Sequence, residues 1–87
     1  MVSFGVCAAQ DGMSFNQLRE MIQEAERLGF ESFWLFDHLT AFPFPDKQPF
    51  LESWTTLSAL SMLVEKIRIG TLVTNIHYRF PSLVAKM

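Results

Sequence analysis

The sequence predicts an α/β fold with a parallel sheet, because short apolar segments with strand character alternate with longer segments of helical periodicity. The order along the chain is β-α-β-α-β, and a further helix begins near the last residue. Strands that alternate with amphipathic helices favour right-handed crossovers and parallel pairing. A parallel sheet needs cover on both faces, and these helices supply cover for one face only.

The first unit is a strand over about 2–7 and a helix over about 14–28. Ser14 and Gln17 have capping-box spacing, in which each side chain bonds to the backbone N–H of the other residue. Gly29 suits the left-handed position just past a helix C-terminus. The apolar stripe of the helix is Leu18, Met21, Ile22, Ala25 and Leu28.

The second strand, over about 32–36, leads to the residues where we expect chemistry. Its continuous apolar run is typical of strands covered on both faces. Asp37 and His38 follow at the carboxyl end of this strand, where parallel α/β folds bind ligands. An imidazole can give or take a proton near neutral pH, and a carboxylate can orient it. From composition alone, a hydrogen-bonded structural histidine is the favoured interpretation of His38, and adjacent residues need not face the same cavity.

A long loop is predicted from Leu39 to Pro49, because its prolines forbid a regular helix or central strand. Loops of this length are commonly functional, as lids or binding loops. The alternative is that the aromatic residues only fix the loop in place. The aromatic residues of this region are Phe42, Phe44 and Phe50.

The remaining elements are a helix over about 52–64, a strand over about 66–73 and a third helix that begins at Pro81. Gly70 interrupts the third strand, and a glycine there often marks a bulge or a close backbone approach. Proline suits the first turn of a helix, where its missing N–H is not needed.

Composition limits the chain to one small domain. Of its 87 residues, 49% are hydrophobic and 9 are phenylalanine, which excludes a disordered segment. The net charge of −2 and the absence of a basic cluster argue against a nucleic-acid partner. Cys7 is the only cysteine and is expected to be a small buried strand residue. No signal segment or membrane-spanning run is apparent, so a cytoplasmic protein is expected.

Metal binding and nucleophilic catalysis are weaker interpretations. Two histidines, Asp37 and Cys7 do not show the tight spacing of a zinc or iron site. No nucleophile-elbow motif accompanies the cysteine or any serine.

The residues also resemble a family, the bacterial luciferase-like oxidoreductases, which are (β/α)8 barrels that use FMN or a deazaflavin coenzyme. The resemblance is to the N-terminal part of those barrels and covers essentially the whole chain. It lies in seven pieces that occur in order: Phe4-Gly5, Ala25 to Ser32, Trp34 to Leu39, Trp54 to Leu60, Ile67 to Thr71, Arg79-Phe80-Pro81 and Ala85-Lys86.

The resemblance implies a fold of three β/α units of a TIM barrel and a coenzyme at the carboxyl ends of the strands. An Asp-His pair after strand two is typical of the deazaflavin branch, which favours coenzyme F-420 over FMN. The family's non-proline cis peptide would fall near Leu72-Val73. By resemblance, the catalytic residues are His38 and Asp37. The residues implied in coenzyme binding are Asp37, His38, Gly70, Thr71, Leu72, Val73 and Asn75.

The function implied is hydride transfer or oxygen activation on a small-molecule substrate. The alternative is an inactive scaffold that pairs with another chain, because a barrel takes about 250 residues and usually builds its phosphate site from later strands. The isolated chain is expected to self-associate and to bind neither coenzyme. We also expect that Phe4, Phe33, Leu35 and Ile69 cannot all turn away from the uncovered face of the sheet.

Overall fold

The computed structural model describes residues 1–87 and contains one three-stranded sheet with three helices. The strands lie in the order β1-β2-β3, and both neighbouring pairs are parallel, which confirms the predicted α/β architecture. None of the helices is long and apolar enough to cross a membrane. The elements in chain order are β1 Gly5–Ala8, α1 Phe15–Arg27, β2 Ser32–Leu35, α2 Ser53–Ser61, β3 Arg68–Thr71 and α3 Pro81–Lys86.

The elements are shorter than the sequence pattern predicted. Each strand has four residues, and α2 ends at Ser61, where the apolar pattern had suggested 64. The cause lies in the segment after the helix. The Glu26 carboxylate accepts hydrogen bonds from the backbone N–H groups of residues 65, 66 and 67, at 2.7–3.0 Å. These N–H groups cannot donate to Glu26 and also donate to the carbonyls of a continuing helix. The chain therefore leaves α2 and turns into β3.

The ends of α1 form as predicted. The Ser14 hydroxyl accepts from the Gln17 N–H, and the Gln17 side chain accepts from the Ser14 N–H, which completes the capping box. At the other end, Gly29 has a φ of 86°, and its N–H donates to the carbonyl of Glu26. The N–H of Phe30 donates to the carbonyl of Ala25. These two bonds make a Schellman motif, which explains why the helix stops there.

One face of the sheet packs against α1 and α2 and holds the core. Phe33 and Leu35 are fully buried there, and Ile69 packs beside them. Of the four residues expected not to turn away together from the uncovered face, Phe4 precedes β1 and is 67% exposed, whereas Phe33, Leu35 and Ile69 do turn away from it together. Alternation along paired strands puts them on the same side, because Val6 is in register with Phe33, and Phe33 with Ile69. The core cluster is Ala8, Leu18, Ile22, Ala25, Phe33, Leu35, Leu57, Leu60 and Ile67.

The opposite face, here called the open face, is uncovered and is lined by Gly5, Cys7, Trp34 and Gly70. Cys7 is exposed, so its expected burial was wrong; its register neighbour on β2 is Trp34, which also points away from the helices. The Trp34 indole lies across the open face. A Cβ atom on Gly70 would be 2.8 Å from its Cζ3 atom, and one on Gly5 would be 3.2 Å from its Nε1 atom. Gly70 therefore makes room for the ring, whereas a Cβ atom on Gly5 would first meet the Ser32 hydroxyl oxygen that accepts the indole N–H.

Candidate functional site

Asp37 and His38 lie at the carboxyl end of β2 but on different sides of the sheet. Asp37 continues the side of Phe33 and Leu35 and is buried, with 2% of its surface exposed. His38 is exposed. Successive residues of an extended chain point to opposite faces, which accounts for the separation. The two side chains therefore have different surroundings, and no hydrogen bond joins them.

Asp37 is the centre of a buried polar network. Its Oδ1 atom accepts from the Ser53 hydroxyl at 2.9 Å and from Arg79 Nη2 at 2.8 Å. Its Oδ2 atom accepts from the Asn75 backbone N–H at 2.8 Å and from Arg79 Nη1 at 2.7 Å. Arg79 Nη2 also donates to Glu52 Oε1 at 2.6 Å. The network thus ties together the end of β2, the start of α2 and the loop that precedes α3.

The charges in this network stabilise one another. The Arg79 guanidinium, with help from the Asn75 and Ser53 hydrogen bonds, lowers the pKa of Asp37 from 3.8 to about 2, although burial acts in the opposite direction. The Asp37 carboxylate in turn raises the pKa of Arg79. For Glu52, burial raises the pKa, but hydrogen bonds from Thr55, Trp54 and Arg79 outweigh it and lower the value. All three groups are therefore charged at neutral pH.

His38 lines a cavity at the carboxyl end of the sheet. Its ring centroid lies 5.7 Å from that of Phe36 and 6.1 Å from that of Phe50, with the Phe50 ring nearly parallel to it. Both distances are in the range of aromatic pairing. Together with Tyr78 and residues 39–43 and Pro45, His38 lines a cavity of about 440 Å³.

The end of β3 supplies the neighbouring surface. The Leu72-Val73 peptide bond is cis, at the position that the family resemblance implied. Leu72 and Val73 are exposed, at 48% and 70%. Thr71 bonds to the Thr74 hydroxyl, and Asn75 uses its N–H on Asp37 and its side-chain oxygen on the N–H of His77.

The predicted site residues therefore separate into two groups. His38, Leu72 and Val73 present free surface at the carboxyl edge of the sheet. Asp37, Gly70, Thr71 and Asn75 make contacts within the chain, and for Gly70 the neighbour is the Trp34 ring. Contact between any of these residues and a coenzyme stays a prediction.

Two residues of the site were missed by sequence reasoning. Arg79 was noted only as part of the Arg-Phe-Pro piece, and nothing local shows that it would pair with a carboxylate 42 positions earlier. Gln10 lies two positions after the end of β1. It is fully buried, and its side-chain amide bonds to the backbone of Phe36 and of Leu51. A polar residue two positions past an apolar strand was the only available indication.

A larger cavity, of about 580 Å³, lies at the opposite end of the sheet and is lined by residues of the N-terminus, the end of α1 and the start of β3. Its Glu26 carboxylate is already used on three backbone amides. In barrels of parallel strands, this amino-terminal end serves stability and the carboxyl end holds the chemistry. We therefore place the candidate site at His38.

A parallel β/α sheet with an exposed histidine and an exposed apolar turn at its carboxyl edge is the arrangement found in a segment of a (β/α) barrel. Comparison with known proteins gives the family. The chain matches the luciferase-like monooxygenase family over residues 2–87, and it belongs to that family. No curated protein matches it.

Among solved structures, the chain is similar to one described as "F420-dependent secondary alcohol dehydrogenase in complex with an F420-acetone adduct". The TM-score is 0.84 and the sequence identity is 26%, over 97% of this chain and 26% of that chain. The chain thus spans about a quarter of the length of the solved protein that it matches. Its fold is that of the corresponding part of a luciferase-like (β/α)8 barrel.

Proposed function

We propose that this chain forms the His38 side of the coenzyme and substrate site of a deazaflavin-dependent oxidoreductase that exchanges hydride with an alcohol or carbonyl compound. The observation that carries the proposal is the exposed imidazole of His38 at the carboxyl end of β2, on the same edge as the exposed apolar turn Leu72-Val73 that follows the neighbouring strand β3. The similarity to a deazaflavin-dependent dehydrogenase supports the choice of coenzyme.

The residues of this edge fit the ring system of such a coenzyme. Leu72 and Val73 offer an exposed apolar surface to a flat ring, and His38 offers a single polar group beside it. The phosphate portion is not accommodated by the same residues. Arg79 is the cation of the Asp37 network, and it is already bonded to Asp37 and Glu52. We therefore assign the ring, and not the phosphate, to this chain.

Each residue then has a stated task. A bound deazaflavin supplies a ring carbon that gives or accepts hydride. His38 takes the hydroxyl proton of an alcohol, or returns it to a carbonyl oxygen. Leu72 and Val73 exclude water from the reacting face. Asp37 does not reach the substrate in this arrangement; it holds the loop before α3 against β2 and so positions the surroundings of His38.

The rest of the barrel is required for activity. Both outer edges of the sheet, on β1 and β3, lack a neighbouring strand, and the open face is uncovered. The indole N–H of Trp54 is shielded from water but has no acceptor. Trp54 lines a groove with Ile69 and Met87 on the β3 side. We propose that further β/α units of a luciferase-like barrel cover this side and supply the phosphate site.

The test uses a full-length luciferase-like barrel whose corresponding quarter is replaced by residues 1–87. Deazaflavin binding is measured by fluorescence titration, and turnover by the absorbance of the reduced coenzyme in the presence of a secondary alcohol. We expect His38→Ala to lower turnover by about 10²–10⁴-fold with the fold intact, because it removes general acid/base help. His77→Ala, the matched replacement of the other histidine, is the control. Equal turnover in the His38 variant and its parent would contradict the proposed role.

The same titration distinguishes the second candidate, an FMN-dependent monooxygenase. The family description favours this reaction, in which the flavin activates oxygen. FMN binding without deazaflavin binding would replace our first choice with this one. Binding of neither coenzyme by the full-length protein would leave the third interpretation, an inactive scaffold that pairs with other units.

A further inference from the structure

Gln10 is a buried amide side chain that neither the fold's core nor the proposed chemistry uses directly. It has no exposed surface. Its Oε1 atom accepts from the Phe36 backbone N–H at 2.8 Å, and its Nε2 atom donates to the Phe36 carbonyl at 2.8 Å. The same Nε2 atom donates to the Leu51 carbonyl at 3.2 Å. One side chain therefore satisfies both backbone groups of Phe36 and one of Leu51.

These backbone positions belong to the neighbours of His38. Phe36 contacts the imidazole directly, and Leu51 follows Phe50, whose ring is stacked with it. Phe36 and Phe50 stand on either end of the long loop, 14 positions apart, and no regular secondary structure connects them. Gln10 is bonded to both ends. It thus fixes the distance between the two rings that contact His38.

We propose that Gln10 is a positioning residue for His38, which acts by holding Phe36 and Phe50 in place around the imidazole. The proposal rests on the proposed function in one respect, because it gives a catalytic purpose to the placement of His38. The placement itself is a property of the chain and is tested without coenzyme. Replacement of Gln10 leaves the buried backbone groups of Phe36 and Leu51 without their hydrogen-bond partner, which is costly. The two ends of the loop are therefore expected to relax in the variant.

The next residue, Asp11, provides the matched control. Its Oδ1 atom accepts from the Phe42 N–H at 2.6 Å, so it also tethers the long loop to the end of β1. Its partner, however, is neither Phe36 nor Leu51. A general loosening of the loop would follow from loss of either tether, whereas loss of the His38 placement should follow only from loss of Gln10.

The experiment is proton NMR on the 87-residue chain, which has only two histidines, with the imidazole signals assigned by His77→Gln. In the parent, nuclear Overhauser contacts are expected from the His38 C–H protons to the rings of Phe36 and Phe50. The Phe36 contact is local, two positions away, and serves as an internal control for a folded β2. Gln10→Met removes all three hydrogen bonds. Gln10→Glu keeps the acceptor for the Phe36 N–H, removes the donors and is the second variant should the first fail to fold.

The expected result is loss of the His38–Phe50 contact in the Gln10 variants and its retention in Asp11→Ala, which removes the acceptor for the Phe42 N–H. Persistence of that contact in a folded Gln10 variant would overturn the proposal. Equal loss in Asp11→Ala would overturn it too, because loop order in general, and not Gln10, would then place the rings. Failure of coenzyme binding by the full-length barrel would remove the proposed function but would leave these contacts as they are.

Discussion

Replacement of Asp37 by Asn tests the anchoring role that the structure gives to this carboxylate. The Asp37 side chain has no exposed surface, and that of Arg79 is 11% exposed, so solvent screens the pair little. Each unit by which a folded-state pKa lies below its ordinary value is worth about 1.4 kcal/mol. With a pKa lowered from 3.8 to about 2, Asp37 contributes about 2–3 kcal/mol to the free energy of unfolding at neutral pH. The variant should lose about that amount, because Arg79 then keeps only Glu52 as an anionic partner.

The sign of the pH dependence follows from the direction of the change. Because the folded-state pKa is depressed, the contribution is fully present above about pH 4 and is lost as pH falls toward 2. Urea denaturation of the parent and of Asp37→Asn, at equal protomer concentration, should show a difference at pH 7 that shrinks below pH 4. Asp46→Asn, in the exposed part of the long loop, is the control and should match the parent. A difference that stays constant down to pH 2.5, or none at pH 7, would refute the reasoning.

Three further predictions concern the scaffold. Gly70→Val should prevent folding, because its Cβ atom would stand 2.8 Å from the Trp34 ring; a soluble variant with a cooperative thermal transition would show that the ring can move aside. Ser14→Ala should lower the free energy of unfolding by about 1 kcal/mol through loss of the α1 cap, whereas Ser82→Ala, which makes no cap bond, should not. The isolated chain should self-associate through its open face and strand edges and bind neither coenzyme, as judged by light scattering with a fluorescence titration; a monomer that binds either one at micromolar concentration would contradict the incomplete barrel.

The parts of the fold that the sequence predicted are those decided by near neighbours in the chain. The capping box of α1 needs only Ser14 and Gln17, and the end of the helix needs only Gly29. Their geometry is complete within one turn, so spacing and residue type were enough. The alternation of strands and helices is likewise visible in short windows, and the parallel order followed from it.

The parts that the sequence did not predict depend on residues far apart in the chain. Arg79 reaches Asp37 across 42 positions, and Gln10 reaches Leu51 across 41. Either side chain could have bonded to water or to another partner, and no local pattern decides between these outcomes. The role of Gly70 shows the same limit: the sequence indicated a close approach, but only the register with Trp34 identified the ring that approaches.

The adjacent pair Asp37 and His38 shows how one dipeptide can serve both the scaffold and the chemistry. Because side chains alternate at the end of β2, Asp37 points toward α2 and His38 points toward the exposed carboxyl edge of the sheet. The carboxylate on the buried side neutralises Arg79 and orders the loop before α3, which carries Tyr78 to the cavity beside His38. In the reverse order, an imidazole would face the guanidinium and the carboxylate would face the cavity, so the anchor and the proposed proton carrier would both be lost. The order of the two residues, and not only their presence, is therefore what the site requires.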